Sequence, residues 1–132
     1  YNSLHKFDII CLSEAFLDST ISPNELQLSL AGYKIIRSDN PLNIKKGGVC
    51  IFFKETLPLN IVNITQLKEC LLVEIFYNNR KCYLVTLYRS PSQSLIEFDD
   101  FMTNFENLID SIHSLNPYFI IILSDFNAKL KK

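Results

Sequence analysis

Apolar residues along the chain fall into short blocks separated by turn residues, with one long segment of helical period. Phe7-Asp8-Ile9-Ile10-Cys11-Leu12 is compact and β-branched at its centre, the pattern of a buried strand, and it stops at Ser13-Glu14. Ser22-Pro23-Asn24-Glu25 has the form of a helix start, with Ser22 as N-cap and Pro23 at the first position, and Ala31-Gly32 keeps that helix short. Residues 33–38 form the next strand candidate. Lys46-Gly47-Gly48 marks a turn before a strand at 49–53, and residues 59–64 alternate as a strand with one wet face does. Residues 71–76 and 81–88 flank Tyr77-Asn78-Asn79-Arg80. Asparagine tolerates left-handed backbone angles, so this pair predicts a β-hairpin.

The one long helix is predicted from residue 95 to about 115. Phe98, Phe101, Met102, Phe105, Leu108, Ile109 and Ile112 recur at spacings of three and four and make a single apolar stripe. Ser94-Leu95-Ile96-Glu97 is a capping-box pattern at its start, and Asn116-Pro117 closes it. A strand at 118–123 follows at once and runs into Ser124-Asp125-Phe126-Asn127. Few helices among many strands argue for an α/β or α+β fold with helices packed on a mixed sheet.

Composition narrows the class. The chain has 132 residues, 48% hydrophobic and 20% charged, which suits one globular domain over residues 1–132 with a real core. Phe119 to Leu123 is far too short an apolar run to cross a bilayer, and no apolar stretch opens the chain as a secretion signal would. The chain begins with tyrosine, and only eight residues follow the last strand block at Ser124. Both ends are read as cuts in a longer protein. The net charge of -1 supplies no general footprint for nucleic acid; Lys45-Lys46 and the terminal Lys129, Lys131 and Lys132 are small clusters of a kind common in solvated turns and tails. Cys11, Cys50, Cys70 and Cys82 form no C-x-x-C pair, so they are expected to be buried free thiols of a reducing compartment.

Candidate chemistry gathers at strand ends. Glu14 and Asp125 each stand just past an apolar strand block, and the block at 81–88 delivers Tyr88-Arg89 in the same way. Ligands of open sheets bind outside the carboxyl ends of strands. Two carboxylates with phosphate oxygens and water suit a hard divalent ion, which neutralises charge on a phosphate and its leaving oxygen. Asp125 is the candidate to orient or deprotonate a water, Asn127 to donate to a phosphate oxygen, and Arg89 or Tyr88 to stabilise developing negative charge. Each has an ordinary alternative: Glu14 as a solvated turn or cap, Asp125-x-Asn127 as a turn, Tyr88 as a half-buried aromatic, Arg89 as a surface charge. Gly47-Gly48 suits a hairpin turn better than a phosphate cradle, His113 is read as a flank residue of the long helix, and His5 has no evident partner.

The wording of four segments in order goes further. Residues 8–17 (Asp-Ile-Ile-Cys-Leu-Ser-Glu-Ala-Phe-Leu), Gly47-Gly48-Val49-Cys50-Ile51-Phe52, Leu87-Tyr88-Arg89-Ser90-Pro91 and Ile122-Leu123-Ser124-Asp125-Phe126-Asn127-Ala128 resemble the endonuclease/exonuclease/phosphatase superfamily. Within it, the chain looks most like the apurinic-type endonuclease domain of non-LTR, LINE-like retrotransposons. The resemblance implies two packed β-sheets flanked by helices, here truncated at both ends. It implies Glu14 as the ligand of Mg²⁺ (or Mn²⁺), Asp125 and Asn127 as the pair that orients water and contacts the phosphate, and Tyr88 beside the scissile phosphate. Arg89 falls in the Tyr-Arg-x-Pro wording and is assigned to substrate binding. By the same resemblance the partner is DNA, nicked in the nucleus to prime a reverse transcriptase carried by the same polypeptide. An inactive retroelement remnant of the same fold is the alternative, and a phospholipid or inositol-phosphate substrate a third reading. Ser124 replaces the family's usual glycine and Ala15 its usual threonine. The family's asparagine-bearing first strand would precede Tyr1, and its Ser-Asp-His segment would follow Lys132.

Overall fold

The computed structural model describes residues 7–13, 32–38, 48–62, 67–89 and 93–125. The element order is β1 (Ile9–Ser13), β2 (Tyr33–Ser38), β3 (Val49–Lys54), β4 (Leu59–Val62), β5 (Cys70–Tyr77), β6 (Arg80–Tyr88), α1 (Leu95–His113) and β7 (Ile120–Asp125). The short helix expected after Ser22 lies outside the described residues. The last strand is displaced from its predicted bounds: it starts at Ile120 and takes in Ser124 and Asp125. Asp125 is therefore the final residue of the strand rather than the first beyond it.

Two sheets form, one ordered β1-β3-β2 and the other β4-β5-β6-β7. Every pairing is antiparallel except β6 with β7. Parallel neighbours cannot be joined by a tight turn and need a crossover, which α1 supplies. The β5–β6 turn runs through Asn78 and Asn79 at φ 51° and 59°, the left-handed pair that a two-residue hairpin of matching twist requires.

Because side chains alternate across a strand, each central strand feeds two cores. Val49, Ile51 and Phe53 of β3 meet Leu71 and Val73 of β5 and Leu84 and Tyr88 of β6, closing the space between the sheets. The alternate residues Cys70, Leu72, Tyr83, Val85 and Leu87 face α1, which buries Phe101, Leu108 and Ile112 against them. Tyr33, Cys50 and Phe52 form a third cluster on the other face of the first sheet. The stripe predicted for the helix is thus the face that packs. At its start Ser94 accepts the Glu97 amide at 3.2 Å, completing the capping box. At its end Asn116 adopts φ 53°, a left-handed residue before Pro117 that turns the chain back into β7.

Candidate active site

Local bonding fixes which strand ends lie together. In the first sheet Ser13 and Ser38 both register with Val49, so the end of β1, the end of β2 and the start of β3 share one edge. In the second sheet Tyr88 registers with Asp125 because β6 and β7 run parallel. The connection before β5 joins these two edges. The Gly48 amide donates to Glu69 Oε1 at 2.8 Å, the Ser38 hydroxyl donates to the Lys68 carbonyl at 2.7 Å, and the Tyr88 amide donates to the Glu69 carbonyl at 3.0 Å. The carboxyl ends of β1, β6 and β7 therefore converge at one end of the sandwich, with β1 packed across from β6 and β7.

Those ends carry the residues singled out from sequence. Glu14 and Asn127 fall outside the described residues, one position past β1 and two past β7, and Asp125 is described through its backbone. Tyr88 is anchored with its ring in the core between the sheets, only 7% exposed. Arg89 is also buried: its guanidinium lies 4.8 Å from the Phe98 ring and donates to Gln93 Oε1 at 3.2 Å. Stacking and a fixed fork of donors suit arginine to such a place, and these contacts fasten the end of β6 to the start of α1. Behind Tyr88, the buried Thr86 hydroxyl has no oxygen or nitrogen partner among the described residues and lies beside the Cys11 thiol.

Glu69 is the residue that sequence reasoning missed. It stands before β5, not after a strand, and the Gly48 amide it binds is 21 residues away, so no local pattern marks it. Burial pushes its carboxyl above the ordinary 4.5, only partly offset by the Gly48 amide. The Gly48 N–H is thereby already held by a protein carboxylate. Gly48 itself sits at φ 81°, where glycine's freedom is needed.

By residue type, Glu14, Asp125, Asn127 and Tyr88, which the sequence places at or just past the ends of β1, β6 and β7, are oxygen donors of the kind a hard divalent cation takes. Cys50, Cys70 and Cys82 are buried and Cys11 is half-buried, and burial pushes the Cys70 thiol up to about 12, which disfavours the thiolate that a soft metal would take there. No group of three or more histidine, cysteine, aspartate or glutamate side chains suited to a metal occurs among the described residues, which exclude Glu14. A shallow cleft of about 490 Å³ lies at the opposite end of β6, lined by Arg80, Lys81, Leu115, Asn116, Pro117 and Tyr118, away from the converging strand ends.

Comparison with known proteins defines the architecture. No family model and no curated protein sequence matches the chain. Solved structures do. The endonuclease domain of TRAS1, a telomere-specific non-LTR retrotransposon, superimposes with a TM-score of 0.63 at 16% identity over 97% of this chain and 50% of that one. A mannosyl-6-phosphatase from Bacteroides thetaiotaomicron gives 0.64 at 15% over 97% and 54%. D. rerio TDP2, solved with a single-strand DNA product, gives 0.58 at 16% over 98% and 52%. All are endonuclease/exonuclease/phosphatase-fold proteins, and this chain has that fold. It spans about half the length of the structures it matches.

Proposed function

We propose that the chain is the part of a metal-dependent phosphodiester hydrolase, a DNA endonuclease, that carries Glu14, Tyr88, Asp125 and Asn127. The observation behind this reading is the convergence of the ends of β1, β6 and β7 at one end of the sandwich. The fold is shared with nucleases and phosphatases, among them a retrotransposon endonuclease, which favours phosphate-ester chemistry.

Each residue has a role that its chemistry allows. Glu14 holds the divalent ion, Mg²⁺ or Mn²⁺, which when bound neutralises charge on the phosphate. Asp125 orients the attacking water and takes its proton. Asn127 donates its amide N–H to a phosphate oxygen, and the Tyr88 hydroxyl donates to charge developing on the phosphate. Arg89, tied to Gln93 and Phe98, holds the β6 end in place while its charge favours the anionic backbone. The full protein acts on DNA in the nucleus and carries a reverse transcriptase in the same polypeptide.

A plasmid-nicking assay tests the site. Conversion of supercoiled to open-circular DNA is expected with Mg²⁺ and not with chelator, and Glu14→Ala or Asp125→Ala should lower the rate at least about a hundredfold. Undiminished nicking by both variants rejects the assignment. An inactive remnant of the same fold is the second reading; a wild-type chain that binds no Mg²⁺ and nicks nothing supports it.

A further inference from the structure

The phosphodiesterase reading does not use Glu69, a carboxylate that lies where the two sheets meet. Lys68 and Glu69 together bond to three strand termini: the end of β2 through Ser38, the start of β3 through Gly48, and the end of β6 through Tyr88. Two of those termini belong to one sheet and the third to the other. The Glu69–Gly48 bond is the side-chain link in this set that uses an ionisable group, and a carboxylate acceptor makes a bond roughly twice as strong as a neutral one.

These links form a continuous line across the site. Ser13, which leads to Glu14, registers with Val49; Gly48 precedes Val49 and binds Glu69; Glu69 binds Tyr88; Tyr88 registers with Asp125. A shift of Gly48 relative to Glu69 therefore changes the separation between the two halves of the reacting set. Misplacement by about 1 Å is enough to cost on the order of a hundredfold in rate.

We propose that Glu69 is a positioning residue of this site, whose carboxylate sets the start of β3 against the end of β6 and so the spacing between the end of β1, at Ser13, and the Tyr88–Asp125 pair. The role rests on the phosphodiesterase reading, whereas the link itself stands on its own geometry. The Gly48 amide is consumed by this link and is not a phosphate donor.

Two variants separate position from charge. Glu69→Ala removes the acceptor, whereas Glu69→Gln keeps an oxygen in the same place. Amide hydrogen exchange at Gly48 and Tyr88, followed by NMR with Val85 as a core reference, reads the link; plasmid nicking with Mg²⁺ reads its consequence. In Glu69→Ala the Gly48 amide should exchange about fivefold faster or more, with Val85 unchanged. Its kcat should fall about ten- to a hundredfold with KM held within about twofold. Glu69→Gln should restore both. Should the alanine variant fail to fold, Glu69→Asp, one methylene shorter, carries the same expectations. Unchanged Gly48 exchange overturns the link. Faster exchange with unchanged kcat, or no rescue by glutamine, overturns the positioning role. A wild-type chain that never nicks overturns the functional reading and the role with it, while the exchange data still decide the link.

Discussion

Two glutamates, one beside the strand-end site and one farther along β5, are shifted in opposite directions, and that has a measurable signature. Burial raises the Glu69 carboxyl above 4.5, whereas hydrogen bonding from the Tyr83 hydroxyl at 2.8 Å leads the causes that lower Glu74 below it. A raised acid in the folded state binds its proton more tightly than in the unfolded chain. Stability from Glu69 is therefore present in acid and declines as pH rises from 4.5 through its folded value. Glu74 works the other way: its contribution is present above 4.5 and is lost as pH falls through its lowered value. Glu69→Gln should thus flatten the fall in thermal stability above 4.5 and leave the acid limb intact, as a series of melts against pH would read; an unchanged slope above 4.5 would count against this account. Thr86 offers a second measurement. Among the described residues its buried hydroxyl meets a thiol, a weak partner, and no oxygen or nitrogen, so Thr86→Val should be neutral or stabilise by up to about 1 kcal/mol in chemical denaturation, where an ordinary buried hydrogen bond would make the same change a loss.

At the scale of elements, α1 and the β5–β6 hairpin are stabilised by their own sequences. Ser94 caps the helix through the Glu97 amide, and Ser94→Ala is expected to lower stability by about 1 kcal/mol, measured by urea denaturation, with no change in the slope of the transition. Both elements were legible for that reason: the capping box, the three-and-four spacing and the Asn78-Asn79 turn act within a few residues. The strand blocks were legible to within a residue or two because apolar runs mark burial. Their partners were not. That β1 pairs with β3 rather than β2, or that Asp125 comes to lie opposite Tyr88, depends on side chains far apart in the chain. Glu69 was invisible for the same reason, since its partners are supplied by folding. Residue type at strand ends pointed to the candidate site, and the described structure adds the convergence of those ends.

For the whole molecule the weak margin is β7. Among the described residues it is the outer strand of its sheet, and Ile121, Ile122 and Leu123 are 44%, 40% and 45% exposed, on both faces. An apolar edge without a proline or lysine is a template for further pairing. The chain should associate as concentration rises, and Leu123→Lys should reduce that association and dye binding to exposed apolar surface; a wild-type chain that stays monomeric at high concentration would contradict this. The hairpin that fills both cores has another consequence, in time rather than in space. β5 and β6 close over a two-residue turn, an event of about microseconds, whereas β7 reaches β6 only after all of α1 is in place. Assembly is therefore expected to proceed outward from the middle of the chain. The outer strands β1 and β7, whose ends lead to the candidate residues, lock last, so a folding chain acquires its scaffold before its strand ends meet.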